Sequence, residues 1–361
     1  MNKANWNIAS RRGAATAALF LILPLSGIQA AGTEAAAFLE IPVGAEPAAM
    51  GGAYGAQATN AYAMVYNPAG LGFSESPELA GQHLSYLESI HYEFASYIHP
   101  LKPGKVIGAS LQYLGSGDIT QTNAAGDNVG EFSSYYAAYT LAYGQKLTEK
   151  ISLGIAGKWI NAGISHINAN AYAVDGGIMV RATNKLTLAG SMSNAGTKLT
   201  FIDEGGSLPL LGRFSATYQA KPQLKLATDV VYRGYGLASG HFGAEWRPMR
   251  MFAIRAGYRT DTTKELGAAA GVSAGMGLNL WGQEFSYAWV PYGDLGTTNY
   301  ISMLLRFGEK AESQRNLIHY ERIKIHRTAQ KETSTDIEYE QLMQLLNDDS
   351  LNLASTQITA Q

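Results

Sequence analysis

His83 and Ser85 lie two residues apart on one face of a predicted strand, and a hydroxyl beside an imidazole is the nucleophile and base pair of many hydrolases. Such catalysis also needs a group that orients the base and a site for the oxyanion, and the sequence identifies neither. The seven histidines are scattered without metal-ligand spacing, and the glycine-rich stretch GMGLNLWG (275–282) follows a strand pattern rather than a phosphate loop. We therefore expect no enzyme, no metal site and no cofactor.

Charged side chains recur on one face of successive predicted strands. In LKLATDVVYR (224–233), Lys225 and Asp229 alternate with Leu226 and Val230. The residues assigned to this inward face are His91, Glu93, Lys158, Asp175, Arg181, Arg213, Lys225, Asp229, Arg233, Glu245, Arg255, Arg259, Glu284 and Arg306. The candidate polar network comprises Lys158, Asp175, Arg213, Asp229, Arg233, Glu245, Arg255 and Glu284. Both signs occur, so two interpretations stay open: a mutually compensating network, or a selective passage for a polar or amphiphilic solute.

The composition is typical of a wall that meets lipid. Charged residues make up 16% of the chain, with 40 glycines and 21 tyrosines, against about 25% charged in soluble domains. Cysteine is absent, which excludes disulfides, thiol catalysis and a lipoprotein-type anchor. The net charge of −2 gives no indication of a nucleic-acid partner.

Period-two alternation runs from Glu78 to Gly308 and predicts an antiparallel barrel. Short turns, such as 147–149 and 221–223, alternate with long connections at 116–131 and 194–209, as in outer-membrane proteins. The length of this region fits about 14 membrane-spanning strands with their connections. We therefore predict an all-β fold, a 14-stranded transmembrane β-barrel over 78–308 with both ends on the periplasmic side.

The first 30 residues have the pattern of a secretory signal peptide. Lys3, Arg11 and Arg12 precede an apolar stretch at 14–28, and cleavage is expected after Ala30. A transmembrane anchor is the alternative, but the stretch is shorter than the ~20 residues that span a bilayer. Twin-arginine export fits less well, because Gly-Ala-Ala follows the arginine pair.

Residues 31–77 precede the first predicted strand. They are too apolar for a disordered leader and too interrupted by proline and glycine for a wall strand. The lumen of a barrel of this size has room for such a segment. Pro68 fixes its own φ angle and disfavours the helical region at Asn67, whose side chain can close a local turn. We therefore expect a luminal hatch with a chain reversal at Asn67.

One stretch within this segment is similar to the N-terminal signature of a known family. IPVGAEPAAMGGAYGAQATNAYAMVYNPAGL (41–71) resembles the PorV/PorQ family, within the FadL-like superfamily of outer-membrane proteins, and the similarity extends over roughly 37–308. It implies a hatch inside a 14-stranded barrel. The hatch turn is then Asn67, Pro68, Ala69, Gly70 and Leu71.

Residues 309–361 form a polar tail, for which we expect a periplasmic location. Thr335 and Glu338 make a capping box ahead of one short predicted helix. Its candidate docking face repeats at helical spacing and comprises Tyr339, Leu342, Met343 and Leu346. A disordered extension is the alternative.

The resemblance implies two functions for a barrel in the cell outer membrane, surrounded by outer-membrane lipid. The first is a role in protein secretion or assembly, with a secretion component or exported cargo as the protein partner. The alternative is FadL-like passive transport of hydrophobic or amphiphilic small molecules.

Overall fold

The computed structural model describes residues 34–86, 90–236, 238–262 and 268–308, together with Gln344. The signal peptide and the predicted docking face of the tail lie outside these residues. No helix in the described part of the chain is long and apolar enough to cross a membrane.

Fourteen antiparallel strands form a closed barrel, which confirms the predicted fold class and strand number. The barrel strands are β1 (Glu78–Ser85), β2 (His91–Lys102), β3 (Lys105–Gly115), β6 (Ser134–Lys146), β7 (Ile151–Ile164), β8 (Ile167–Arg181), β9 (Leu186–Gly196), β12 (Leu211–Lys221), β13 (Leu224–Arg233), β14 (Ala238–Met249), β15 (Phe252–Arg259), β16 (Val272–Leu280), β17 (Gln283–Pro291) and β18 (Thr297–Arg306). Strands β1 and β18 close the wall, in a register that pairs Glu78 with Arg306 and Ser85 with Asn299.

The two ends of the barrel differ in their connections. One end, the short-turn end, carries the tight turns at 103–104, 147–150, 182–185, 222–223, 250–251 and 281–282, together with the start of β1 and the end of β18. The opposite, long-loop end carries two hairpins outside the wall, β4 (Ile119–Thr122) with β5 (Asn128–Phe132) and β10 (Leu199–Phe201) with β11 (Glu204–Gly206). Two connections at the long-loop end, 165–166 and 234–237, are as short as the opposite turns.

Alternation along each strand separates an outer apolar face from an inner face. On β7, Ile155 and Trp159 are exposed on the outside, whereas Ala156 and Lys158 are buried. A band of large exposed apolar side chains around the wall is the surface that lipid requires. The inner face carries small and polar residues instead, for example Ala138 and Thr140 on β6.

The space inside the barrel is filled by residues 36–74, which we call the inner segment. It contains η1 (Ala37–Glu40), α1 (Ala45–Ala49), α2 (Ala63–Tyr66) and η2 (Pro68–Phe73). Most of its side chains are buried, and α1 contacts β15 to β18 while η2 contacts β3 and β6 to β8. The turns at Gly51 and Gly52, both at positive φ, let the chain reverse between these short helices.

Glycines of the wall make room for this backbone. A Cβ atom on Gly154 would lie 2.1 Å from the carbonyl carbon of Pro68, and one on Gly257 would lie 2.0 Å from the backbone nitrogen of Gly51. Two opposite parts of the wall therefore contact the inner segment through its backbone. This close approach requires glycine at both positions.

Replacing Gly154 with alanine is expected to destabilise the protein by about 1–3 kcal/mol, because the new methyl group must displace the Pro68–Ala69 backbone. The measurement is the free energy of unfolding in urea after reconstitution in lipid vesicles.

Gly157→Ala is the matched control, since Gly157 lies on the same strand and a Cβ there would meet nothing within 4 Å. Equal stability of the two variants would contradict the close contact between η2 and the wall.

Candidate functional site

Several polar groups of the wall contact the inner segment. On the side of β7 and β8, these contacts are made with the turn that begins at Asn67. The buried Asn67 side chain accepts a hydrogen bond from the Ala69 amide at 3.0 Å and donates one to the Ile178 carbonyl of β8 at 3.2 Å. Its backbone is extended, with φ −163° and ψ 103°, and Pro68 begins η2 directly after it. This one side chain therefore closes the turn and joins it to the wall.

The rest of the predicted hatch turn, from Pro68 to Leu71, is buried with Asn67. Ser152 of β7 donates a hydrogen bond to the Ala69 carbonyl at 2.6 Å, and the methyl group of Met179 lies near Gly70. At the end of η2, the Arg181 guanidinium lies 3.9 Å from the centre of the Phe73 ring.

Asp229 of β13 holds a neighbouring part of the inner segment. Its Oδ2 accepts hydrogen bonds from the backbone amides of Tyr54 and Gly55, both at 3.1 Å. Arg213 of β12 donates to the same oxygen at 2.7 Å and to the Gly52 carbonyl at 3.0 Å. A carboxylate and a guanidinium thus satisfy three backbone groups of an irregular chain.

A second cluster surrounds the buried Arg255 near the short-turn end. Arg255 donates from Nε to Glu245 at 2.8 Å and from Nη1 to Ser286 at 3.0 Å, and its Nη2 pairs with Glu284. Glu46 of α1 faces the same guanidinium at 3.7 Å. Lys225 and Arg247 also contact Glu245, at 3.1 and 2.9 Å.

A third cluster lies towards the long-loop end. Arg233 donates to Glu40 of η1 and to Asp261, each at 2.6 Å, and Arg259 contacts the same Asp261 at 2.6 Å. Burial acts to raise the pKa of Asp261, but the hydrogen bonds and charge of Arg259, together with Arg233, outweigh it and hold the pKa well below its usual range. His241 Nδ1 donates a hydrogen bond to the Gly51 carbonyl, 2.7 Å away.

Lys158 and Asp175 form a separate pair within the wall. Their Nζ and Oδ2 atoms are 2.7 Å apart, and both side chains are almost fully buried. Asn194 joins them, since its backbone amide donates to Asp175 at 2.8 Å and its side-chain oxygen accepts from Lys158 at 2.7 Å. Asn194 has φ +63°, and the register of β8 with β9 shifts here. Lys158, Asp175 and Asn194 therefore form their hydrogen bonds at a β-bulge of the wall.

The eight predicted network residues therefore all face inward but do not form one continuous path. They divide into the Lys158 pair, the Asp229 pair, the Arg255 cluster and the Arg233 cluster. The inner residues missing from the sequence prediction include Glu40, Glu46, His241 and Asp261. His241 lies on the same face of β14 as Glu245. The period-two alternation along this strand could therefore have predicted that His241 faces inward.

The prediction that His91 and Glu93 face inward is wrong. On β2 the buried inward residues are Tyr92, Phe94, Ser96 and Ile98, whereas Glu93 lies on the outer face and contacts His83 at 2.6 Å. The apolar residues of this strand turn inward because they pack on the inner segment, as Phe94 does against Tyr62 with ring centres 5.8 Å apart. The rule that apolar side chains face lipid fails where the lumen is filled.

The arrangement at His83 does not complete a hydrolase site. Glu93 occupies the position of a group that orients the imidazole, but no hydrogen bond joins Ser85 to His83 in the described structure. Within the described residues there is also no group of three or more His, Asp or Glu side chains placed to hold a metal ion.

Replacing Arg255 with methionine is expected to lower the free energy of unfolding by about 3–5 kcal/mol, because it leaves buried carboxylates without their shared cation. Lys146→Met is the control: its partner Glu149 is 88% exposed, so a loss below about 1 kcal/mol is expected. Urea titration of the reconstituted barrel measures both. Similar losses would show that the Arg255 cluster is no more important than a surface pair.

Asp261→Asn is expected to destabilise the protein at neutral pH, and the difference from the unchanged protein should begin to shrink at the acid end of the range. The pKa of Asp261 is depressed in the folded state, so its contribution is fully present above the unfolded value of about 3.9 and is lost progressively as the pH falls from there towards the lower folded pKa. Unfolding curves measured between pH 3 and pH 8 test this. A difference that persists unchanged at the lowest pH would contradict the ion pairing.

Comparisons with known proteins agree with this geometry. The sequence pattern of the family described as "Type IX secretion system protein PorV" matches residues 27–190. No curated protein sequence matches the chain.

Solved structures share the fold at low sequence identity. The Ralstonia pickettii toluene transporter TbuX is 13% identical, with a TM-score of 0.53 over 74% of this chain and 98% of its own. The Pseudomonas putida toluene transporter TodX is also 13% identical, with a TM-score of 0.52 over 73% of this chain and 96% of its own. The monoaromatic hydrocarbon channel CymD is 14% identical, with a TM-score of 0.52 over 74% and 98%. Residues 27–190 thus match the PorV family pattern, and the closed 14-stranded barrel shares its fold with these transporters.

Proposed function

We propose that this protein acts in protein secretion or assembly at the outer membrane, as a non-enzymatic barrel that contacts a secretion component or an exported protein. The observation that carries the proposal is the PorV match over residues 27–190. The matched region includes the whole inner segment and the wall from β1 to the beginning of β9.

In this proposal the inner segment is a hatch that stays in place. Three features support it: the backbone contacts with wall glycines, the hydrogen bonds from Asp229 to Tyr54 and Gly55, and the buried ion pairs that reach Glu40 and Glu46. Moving the segment would expose these charges and backbone groups, and each uncompensated group costs free energy. Exported proteins would then contact the barrel from outside rather than pass through it.

The hairpins at the long-loop end are the proposed protein-contact surface. They stand outside the wall and carry exposed apolar residues: Ile119 is 37%, Val129 53% and Ile202 74% exposed. Apolar side chains held at the tips of loops favour contact with another protein. In this orientation the short-turn end, with both ends of the barrel, faces the periplasm, where the tail would dock through Tyr339, Leu342, Met343 and Leu346.

Passive transport of hydrophobic or amphiphilic small molecules is the alternative. It is supported by the fold shared with the toluene transporters TbuX and TodX. It requires the inner segment to move. A small, partly open cavity beside the segment is lined by Arg213, Arg233 and Arg259 as well as by apolar groups, which disfavours an entirely apolar solute.

Replacing 119–132 with a short Gly-Ser linker is expected to reduce recovery of a stoichiometric protein partner by roughly tenfold, as for loss of an interface hot spot. The measurement is quantitative mass spectrometry of proteins and lipids that co-purify after gentle extraction from native outer membrane. The control replaces 148–150, a turn at the opposite end, and should leave recovery unchanged.

The same experiment distinguishes the alternative. A tightly bound amphiphile without any stoichiometric protein, together with conductance that rises when the ligand is added, would contradict a secretion role and favour transport. Deleting 337–346 in parallel tests the tail, and unchanged recovery of the partner would contradict its docking role.

A further inference from the structure

The outer face of β2, β3, β6, β7 and β8 carries a distinctive surface at the long-loop end. It consists of stacked aromatic rings beside asparagine side chains, and we call it the aromatic–amide platform. Its members are His91, Tyr113, Tyr135, Tyr139, Trp159, Asn161, Asn168, Asn170 and Tyr172.

The rings lie in two stacks that cross strand boundaries. His91 packs on Tyr113 with ring centres 6.0 Å apart, and Tyr113 stacks on Tyr135 at 6.2 Å with an angle of 13°. Tyr139 stacks on Trp159 at 5.1 Å with an angle of 24°. Neighbouring rings on adjacent strands therefore present almost parallel faces.

Two outward glycines allow the rings to lie against the wall. A Cβ on Gly163 would lie 2.4 Å from the Tyr135 ring, and a Cβ on Gly115 would lie 3.0 Å from the Tyr113 ring. The rings therefore lie close to the wall backbone at these two positions. Tyr139 and Trp159 are each 45% exposed, so the second stack keeps part of its ring surface open to a ligand.

The amides are fixed beside these faces by a hydrogen-bond chain. Tyr135 donates to Asn161 Oδ1 at 2.8 Å and to Asn168 Oδ1 at 3.2 Å. Asn170 Oδ1 accepts from the Trp159 indole and from Asn161 Nδ2, both at 3.0 Å. Asn168 and Asn170 are exposed, and their side-chain oxygens accept the hydrogen bonds of this chain, which leaves their NH₂ groups as the donors available to a ligand.

The scarcity of Lys and Arg around the platform limits the kinds of lipid headgroup that it can bind. The sequence has no Lys or Arg between Lys105 and Lys146, and only Lys158 between Lys150 and Arg181, where it pairs inward with Asp175. Glu93 brings a carboxylate to the neighbouring outer face, where it pairs with His83. Phosphate and anionic lipid headgroups are bound by Lys and Arg, so this surface does not suit them.

We propose that the aromatic–amide platform binds the neutral sugar headgroup of a glycolipid in the surrounding leaflet. The C–H face of a pyranose ring meets the electron-rich face of an aromatic ring, and its hydroxyl groups accept from and donate to planar amides. The platform lies on the outer wall next to the long-loop end. Lipid headgroups lie at this height of an outer-membrane barrel, so we assign the sugar to a lipid rather than to a soluble molecule. This site is independent of the proposed secretion role.

The test uses the full chain in nanodiscs that contain equimolar phosphatidylcholine and monogalactosyl diacylglycerol with the same acyl chains. Native mass spectrometry of the lipids that remain bound is expected to show the galactolipid enriched roughly threefold to tenfold over phosphatidylcholine. Trp159→Leu and Asn168→Ala should each remove most of this enrichment. Trp246→Leu is the control, because Trp246 is also exposed on the outer wall but belongs to neither ring stack.

Heat-modifiable migration on gels confirms that each variant still forms a barrel. Equal retention of the two lipids would overturn the proposal and leave an ordinary aromatic girdle. A third arm with phosphatidylglycerol would also overturn it if that lipid were preferred, since the site would then recognise phosphate. Photo-crosslinking from position 168 in native membranes supports the proposal with a glycolipid adduct and overturns it with a protein adduct alone.

Discussion

The structure depends on how the closed wall satisfies the backbone of the inner segment. At membrane depth, irregular backbone is tolerated only where protein groups replace water as hydrogen-bond partners. Asp229 accepts from the Tyr54 and Gly55 amides, and Ser273 both accepts from Gly51 and donates to Ala49. These wall side chains form hydrogen bonds with backbone groups of the inner segment, just as neighbouring strands form hydrogen bonds with each other's backbone in the wall. Without them, the lumen would need water where the segment now lies.

This constraint also explains the inner face of the strands. A wall that contacts backbone needs glycine, and a wall that contacts short helices needs alanine, so Gly154 and Ala156 follow one another at alternate positions of β7. The same small residues would be consistent with an opening through the wall. In this barrel their space is occupied by the inner segment, whose contacts with Gly154 and Gly257 lie at opposite parts of the circumference.

The strands of the wall could be predicted from the sequence, but the partners of the charged residues inside the barrel could not. Period two and loop length predict the 14 strands and place Lys158, Asp175 and Arg255 inward, because strand geometry alone determines which face a residue occupies. The partners come from elsewhere: Glu46 reaches Arg255 from the inner segment, and no local pattern encodes that contact. The error at Glu93 has the same origin, since the apolar face of β2 packs on the segment.

The buried ion pairs have a further consequence for function. Replacing a buried ion pair by apolar residues is often neutral for stability. The presence of these pairs is therefore better explained by the one position in which they fix the inner segment than by a gain in stability. Arg233 contacts Glu40 at the beginning of the segment and Arg255 faces Glu46 one helix later, at different heights of the lumen. Together with Asp229 they hold one conformation of a chain that has little regular structure of its own. In the proposed arrangement, in which the inner segment stays in place, the loops and the outer wall are the surfaces that recognise other molecules, and these surfaces differ around the barrel. The side from β2 to β8 is aromatic, amide-bearing and free of outward cations at the long-loop end, so a neighbour that recognises this barrel through its wall would approach it in one orientation.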